Sequence, residues 1–165
     1  MLKMGLERIQ IHEIVKERFG AAVLEDHTEA VEPFIVVRPE VVEDLAFFCR
    51  DDPRLRFDLL SCISGVDYPE KKVIEVIYCL DSTVQKHWLI FKAALPRDDA
   101  RVPSVENVWK TADWHERETF DLLGVVFEGH HNLTRILCAE DWVGHPLRKD
   151  YVMPETYRGI KNVIY

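Results

Sequence analysis

Two neighbouring runs of apolar residues constrain the fold of this chain most strongly. Residues 73–80 are apolar except for Glu75, a pattern typical of a central strand that is covered on both faces. Residues 87–95 form a second run, in which alternate side chains fall on opposite faces, and the polar residues 81–86 separate the two runs. Strand-like runs joined by a short polar turn predict an antiparallel β-hairpin.

Further strands and three helices are predicted around this hairpin. The predicted helices cover residues 11–19, 39–50 and 104–123, and the predicted strands cover residues 22–30, 34–37, 55–63 and 125–127. The first helix should end at Gly20, and the third should begin at a capping Ser104 and end at Gly124. A turn is expected at residues 64–69, after the third strand.

The order of these elements predicts the fold class. Helices and strands do not alternate strictly, which favours an α+β fold: a two-layer domain with a mixed β-sheet, helices packed on it and an irregular C-terminal tail. With 165 residues, the chain has the length of one domain. We expect a single domain over residues 1–151 and, over residues 152–165, an extended tail that contacts a partner.

Composition excludes several functional classes. The formal net charge of −8 argues against nucleic-acid binding, which requires a basic surface. The apolar runs are far shorter than a membrane-spanning helix requires, so membrane association is expected only through partners. Four cysteines, at positions 49, 62, 79 and 138, lack the spacing of a zinc or iron–sulfur site and are expected to be free thiols in apolar surroundings.

The predicted third helix carries two unusual side chains. Glu116 falls within its apolar stripe, where a carboxylate must either find a partner or stay protonated. Its basic candidate partners by sequence proximity are Arg135, Arg148 and Lys149. Trp114 projects from the polar face of the same helix, which hints at a surface for a partner protein.

A dense set of charges surrounds this helix and the turns that follow it. They are Glu116, Arg117, Glu118, Asp121, Arg135, Asp141, Arg148, Lys149 and Asp150. Their density favours an internal lattice of salt bridges that fixes the irregular segment, and the alternative is a solvated charged face. Trp142 is expected to pack the turn around His145 and Pro146 into the core.

Histidines in the same region raise the possibility of a metal-dependent enzyme. The candidate ligands are His115, Glu116, His130, His131 and His145. Adjacent side chains in extended backbone point in opposite directions, which separates His130 from His131, and no HExxH spacing is present. A nucleophile elbow, a phosphate loop and a GxGxxG motif are also missing. We therefore expect no catalytic, cofactor-binding or metal-binding residue in this chain.

Residues 116–151 read ERETFDLLGVVFEGHHNLTRILCAEDWVGHPLRKDY and resemble the signature of the C subunit of respiratory complex I, the proton-translocating NADH:quinone oxidoreductase. A looser likeness extends back to about residue 55, through LRFDLLSCISGVDYPE, VIEVIYCL and VPSVENVWKTADW. One departure is visible, because His131 stands where the family usually has Pro after Gly-His. This loses a restraint on the backbone φ angle in the turn.

The resemblance implies a structural role. The C subunit is a scaffold of the peripheral arm that binds no flavin, quinone or iron–sulfur cluster itself, while FMN and iron–sulfur clusters lie in partner subunits. It docks chiefly on the large hydrogenase-like subunit that forms much of the quinone pocket, on the cytoplasmic side of the cell membrane, and it meets NADH and quinone only through the complex. The same module occurs in related hydrogenase or dehydrogenase complexes, which remain an alternative.

The resemblance also assigns a set of interface and shape-determining residues in and just before the signature. They are Trp114, Glu116, Arg117, Glu118, Asp121, Gly124, Gly129, His130, Arg135, Asp141, Trp142, Gly144, His145, Pro146, Arg148, Lys149, Asp150 and Tyr151.

Overall fold

The structure, a computed structural model, describes residues 6–162. Its helices are α1 (Arg8–Phe19), α2 (Val42–Asp51) and α3 (Ala112–Leu123), and short 3-10 turns cover Gly20–Ala22, Pro39–Val41 and Pro69–Lys71. The strands are β1 (Val23–His27), β2 (Phe34–Val37), β3 (Leu59–Tyr68), β4 (Val73–Ser82), β5 (His87–Pro96), β6 (Arg101–Pro103), β7 (Val126–Glu128), β8 (Thr156–Tyr157) and β9 (Ile160–Lys161).

Five strands form the main sheet, in the order β1-β2-β5-β4-β3. The predicted hairpin is confirmed: β4 and β5 pair antiparallel from Val73 opposite Pro96 to Ser82 opposite His87. Strand β2 lies parallel to β5, whereas the other neighbours are antiparallel, so the sheet is mixed. The predicted α+β class is confirmed.

One face of the sheet carries the core. Buried and half-buried residues alternate along β4, so its two faces are covered unequally. The buried residues of the sheet join those of all three helices in a single hydrophobic cluster. Helix α3 lies so close to β3 that a Cβ atom on Gly65 would come within 2.3 Å of Leu123 Cδ1. Glycine at position 65 therefore allows α3 to pack directly against β3.

Several predicted boundaries are wrong by a few residues, among them the start of the strand predicted at residues 55–63, which begins at Leu59, and three differences change the architecture. Residues 64–68 continue strand β3 and do not turn, because each of them pairs with a residue of β4. The third helix begins at Ala112, since residues 104–111 form irregular turns in which Ser104 bonds to Glu116 instead of capping. The C-terminal tail is not simply extended, because β8 and β9 form a small hairpin.

A second sheet has two strands, β6 before α3 in the sequence and β7 after it. Strand β6 pairs parallel with β7, from Arg101 opposite Val126 to Pro103 opposite Glu128. This places the loop before α3 and the segment after β7 side by side. Among the described residues, the helices are too short or too polar to cross a membrane.

Candidate functional site

The C-terminal segment, residues 129–162, is mostly irregular and is fastened to the domain by polar contacts. A carboxylate on α3, the carboxyl end of α3 and a carboxylate on β3 hold most of it, and further contacts at His130, His131 and Thr134 fasten its beginning. The predicted lattice of charges is therefore present in part, but several of its partners differ from the predicted ones.

Asp121 is the main anchor on α3. Its fully buried carboxylate accepts a hydrogen bond from Arg135 Nη1 at 2.6 Å and bonds from the backbone N–H groups of residues 136, 137 and 138 at 3.1, 2.8 and 2.8 Å. Burial alone would raise the pKa of Asp121, but these donors outweigh it and lower the pKa to about 2. The loop at residues 136–138 thus folds around an ionised side chain. The carboxylate accepts the hydrogen bonds of N–H groups that have no backbone partner in a loop.

The carboxyl end of α3 is capped by the same segment. Carbonyl groups at a helix end lack intrahelical partners and carry partial negative charge. Here the Asp121 carbonyl faces His145 Nδ1 at 3.0 Å, the Leu123 carbonyl accepts from Arg148 Nε at 2.7 Å, and the Leu122 carbonyl accepts from the Leu147 N–H at 3.0 Å. Burial lowers the pKa of His145, which favours a neutral ring that donates from Nδ1.

Gly124 makes this cap possible. Its φ angle is +77°, and a Cβ atom there would lie 2.5 Å from His145 Nε2 and 3.0 Å from Arg148 Nη2. Glycine is thus required both for the left-handed backbone and for the space that the capping side chains occupy.

A carboxylate on β3 holds the end of the signature. Asp67 receives two hydrogen bonds from Arg97, at 2.7 and 2.9 Å, and a third from the backbone N–H of Lys149 at 2.9 Å. Arg97 also reaches Asp150 at 2.5 Å. The Arg97 guanidinium lowers the pKa of Asp67 below its usual range. Sequence reasoning missed both Asp67 and Arg97.

Glu116 has no cationic partner of the predicted kind among residues 6–162. Its two oxygens accept from Ser104 Oγ at 2.6 Å and from the backbone N–H of Val105 at 2.7 Å, while Arg135 pairs with Asp121 instead. The side chain is completely buried, and burial raises its pKa to about 7. The sequence allowed a partnered or a protonated carboxyl group, and the structure combines the two: both oxygens have hydrogen-bond donors, and the group titrates near neutral pH.

Two histidines after β7 face acidic side chains. The ring of His130 is fully buried, with Nε2 3.3 Å from Asp113 Oδ1 and 3.6 Å from Glu106 Oε2. His131 contacts Glu106 with Nδ1 at 2.5 Å and with its backbone N–H at 2.7 Å. The expectation that the two rings point apart is wrong, because they stack 5.3 Å apart at an interplanar angle of 8°.

This cluster brings together a donor set that a metal ion could use. One ligand atom from each of Glu106, Asp113, His130 and His131 lies within 4.8 Å of the others. However, the backbone N–H of Asn132 donates to His130 Nδ1 at 3.0 Å. A neutral ring that accepts at Nδ1 carries its proton on Nε2, so Nε2 acts here as a hydrogen-bond donor to the acidic groups. The arrangement therefore suits a polar network better than a metal centre.

The other candidate metal ligands lie elsewhere. His145 caps α3, and His115 lines a shallow depression with Glu118 and Thr119. The candidate set is thus dispersed, although His130 stacks on His131 and its Nε2 lies 4.0 Å from Glu116 Oε2.

The small terminal hairpin is fastened to Asp141. Tyr157 Oη donates to Asp141 at 2.7 Å, and Arg158 donates two bonds at 3.0 and 2.9 Å. Trp142 packs on Tyr157 with ring centroids 4.9 Å apart and is only half-buried, so the prediction that it packs into the main core is wrong.

The remaining residues of the predicted interface set make fewer contacts within the chain. Arg117 donates to the Thr134 carbonyl at 3.1 Å and lies over the ring of Trp114, whereas Glu118 is exposed. Gly129 and Gly144 have φ angles of +84° and +82°, Tyr151 packs beside Gly144, and Pro146 is half-buried.

The region also exposes several large apolar side chains. Trp114 is 62% exposed, as the sequence predicted, and large apolar side chains of the C-terminal segment are also exposed. They are Leu137, Val143, Leu147 and Val152, at 63%, 82%, 56% and 84%. We call these five residues the apolar surface.

Comparison with known proteins identifies the family. Residues 35–157 match the family described as "Respiratory-chain NADH dehydrogenase, 30 Kd subunit". The chain belongs to this family. The match includes the main sheet from β2 onwards, α3 and the signature, so the resemblance inferred from residues 116–151 is confirmed.

Curated relatives agree with this assignment. The NADH-quinone oxidoreductase C subunit of Chlorobium phaeobacteroides is 44% identical over 163 residues, which cover 98% of both chains. The protein of the same name in Chloroherpeton thalassium is 47% identical over 152 residues, which cover 91% of this chain but only 63% of the relative.

Solved structures share the architecture. A structure described as "Nqo5 of the trypsin-resistant fragment (1-134)" aligns with a TM-score of 0.61 at 26% identity and covers 75% of this chain and 99% of that one. A chain of the membrane-bound sulfane sulfur reductase, an archaeal respiratory membrane complex, aligns with a TM-score of 0.72 at 24% identity, covering 88% of this chain and 85% of that one. The latter likeness concerns the fold alone.

Proposed function

We propose that the chain is a non-catalytic structural subunit in the peripheral arm of a proton-translocating NADH:quinone oxidoreductase, where it supports the quinone-reducing module. Family membership and relatives named as the C subunit of NADH-quinone oxidoreductase support a place in this complex.

The apolar surface is the observation that carries the proposal. Arg135, Arg148 and backbone N–H groups of the C-terminal segment bond to Asp121, Asp67 and the end of α3. Four large apolar side chains of the segment, together with Trp114, remain exposed. Large exposed apolar side chains on a segment that buried polar contacts hold in place are typical of a surface that another protein covers.

The partners follow from the same role. The apolar surface docks on a peripheral-arm subunit, chiefly the large hydrogenase-like subunit of the quinone pocket. FMN and iron–sulfur clusters are held by partner subunits, and NADH and quinone bind to them. The chain lies on the cytoplasmic side of the cell membrane and reaches it only through its partners.

Two alternative functions predict different partner proteins. In a related hydrogenase or other dehydrogenase complex, the chain would have the same role beside a different electron donor. A free-standing metal-dependent enzyme would need the histidines around His130 as ligands, and the hydrogen bond from Asn132 to His130 Nδ1 argues against this.

The test is purification of the tagged full chain from its own cells in mild detergent, followed by mass spectrometry and an NADH dehydrogenase assay. We expect flavin and iron–sulfur subunits with NADH activity. Hydrogenase-type subunits without NADH activity would favour the related complex instead. Recovery of the chain alone, with bound metal and an activity that a chelator removes, would contradict the structural role.

A further inference from the structure

Two free cysteines face each other across neighbouring strands. Cys62 on β3 is paired directly with Cys79 on β4, between the pairs Leu60–Leu80 and Ile63–Tyr78. Side chains of directly opposed residues in an antiparallel pair project to the same face, with Cβ atoms about 4.5–5.5 Å apart. The register therefore places the two thiols side by side.

The pair lies on the face of the sheet that the helices do not cover. Strand β4 directs Tyr78 and Leu80 into the core, and Cys79 lies on the opposite face. Cys62 and Cys79 are both half-buried, so small molecules can reach them. By contrast, Cys49 is fully buried in the core.

The two thiols have different surroundings. The Sγ atom of Cys62 lies 3.1 Å from Ser64 Oγ, whose hydroxyl group can donate to a thiolate. Burial, followed by the proximity of Cys62 and Asp81, raises the pKa of Cys79. Cys62 is thus suited to attack first and Cys79 to act as the second, resolving thiol.

We propose that Cys62 and Cys79 form a dithiol modification site that a low-molecular-weight disulfide such as oxidised glutathione converts reversibly to a disulfide bond. The Cys62 thiolate attacks one sulfur of oxidised glutathione, forms a mixed disulfide and expels one glutathione thiolate. The Cys79 thiolate then attacks Cys62 Sγ and expels the second glutathione. Two protein thiols are oxidised, one external disulfide is reduced, and the two thiol protons are released.

The geometry also indicates that the bond is reversible. Disulfides require Cα atoms roughly 4.4–6.8 Å apart, which directly opposed strand residues satisfy, but they prefer Cβ atoms about 3.5–4.5 Å apart. Because neither cysteine is enclosed in the core, an external thiol can also reach the bond, and exposed disulfides are the more easily reduced ones. The inference does not depend on the proposed function.

The test uses the purified full chain, treated with oxidised glutathione, then alkylated and digested with trypsin without reduction. Cleavage after the basic residues separates the two cysteines into the peptides 57–71 and 73–86. We expect the loss of two alkylatable thiols per chain, a linked 57–71/73–86 peptide, and recovery of both thiols after dithiothreitol.

Single substitutions separate a dithiol site from independent thiols. Cys62→Ser and Cys79→Ser should each prevent the linked peptide and leave at most one glutathione adduct on the remaining cysteine. Cys138→Ser, which removes a half-buried cysteine outside the pair, should leave the link unchanged. Separate adducts on Cys62 and Cys79 in the wild-type chain, or links that involve Cys49 or Cys138 instead, would overturn the proposal.

Discussion

Glu116 is bound by a hydroxyl group and a backbone N–H instead of by a cation. Its apolar environment can be predicted from the sequence, but its partners Ser104 and Val105 cannot, because the apolar spacing predicts that they belong to the same helix. Since the loop at residues 104–111 is not helical, it can fold back onto α3.

The raised pKa of Glu116 predicts a specific pH dependence of stability. Its folded pKa of about 7 lies above its ordinary value of 4.5, so the folded state retains the proton longer. This stabilisation is complete below about pH 4.5 and is lost as the pH rises through about 7. For Glu116→Gln, which mimics the protonated form, we expect the free energy of unfolding to gain about 2–3 kcal/mol relative to wild type between pH 5 and 8.

Urea denaturation of the full chain at several pH values measures this difference. Glu118→Gln, on the exposed face of the same helix, is the matched control and should show no such trend. A constant difference between Glu116→Gln and wild type from pH 5 to 8 would show that the carboxyl group does not titrate there.

Asp121 has the opposite character, because it must stay ionised to hold the C-terminal segment. Asp121→Asn leaves Arg135 without its charged partner and places an amide against three backbone donors. We expect a loss of ~3 kcal/mol in the free energy of unfolding. Hydrogen exchange should also become faster at the amides of residues 136–138.

Asp141→Asn provides the comparison for this prediction. It weakens the contacts to Tyr157 and Arg158, so it should loosen the terminal hairpin and leave residues 136–138 protected. Equal protection at residues 136–138 in wild type and Asp121→Asn would refute the anchoring role of Asp121.

Asp67 and Arg97 show why some partners cannot be predicted from the sequence. The pattern of residues 64–69 predicts a turn, in which Asp67 would be an ordinary turn residue. In strand β3 it has the same inward orientation as Ile63, and this alternation is the signal that could identify a buried carboxylate. Its separation of 82 residues from Lys149 leaves no local clue to the contact.

At the level of elements, the C-terminal segment caps α3 with side chains that lie more than twenty residues away in sequence, His145 and Arg148. Gly124→Ala should disrupt it, because the methyl group would meet the His145 ring in addition to the strain of a positive φ angle. Gly129→Ala is the matched control, since Gly129 has a φ of +84° and no atom within 4 Å of its Cβ position.

We expect both variants to lose roughly 1–2 kcal/mol from the left-handed backbone. Only Gly124→Ala should lose more than this and increase hydrogen exchange at residues 145–148. Thermal or urea unfolding gives the first quantity. Indistinguishable losses in the two variants would mean that His145 moves aside without cost.

The elements that can be predicted well from the sequence are those with a strong local period. The β4–β5 hairpin and helix α2 have regular apolar patterns, whereas α1 is only weakly patterned and is predicted mainly from its stop signal at Gly20. The predicted start of α3 is wrong because apolar residues at helical spacing continue back through Val105 and Val108, which are buried in irregular turns instead. Tertiary contacts distinguish the two conformations, among them the bonds of Ser104 and Val105 to Glu116 and that of Trp109 to the Phe57 carbonyl.

At the scale of the whole molecule, buried polar contacts fasten the C-terminal segment, while Trp114 and four large apolar side chains of the segment stay exposed. The domain therefore holds this segment in a shape that a partner can bind. Substitutions in the apolar surface should impair assembly of the complex and leave the fold of the isolated chain intact. Val143 and Leu147 suit this test, because both are more than half exposed.

The most direct measurement is the amount of redox subunits that copurify with the tagged chain carrying Val143→Asp and Leu147→Asp. Val31→Asp is the control, because Val31 is 98% exposed but lies in the loop between β1 and β2. We expect at least about a 10-fold loss of partner subunits for the double variant, equivalent to about 1.4 kcal/mol of binding, at unchanged thermal stability. The control should retain them. Equal recovery of partners by the double variant and the wild-type chain would contradict the role of this surface in assembly of the complex.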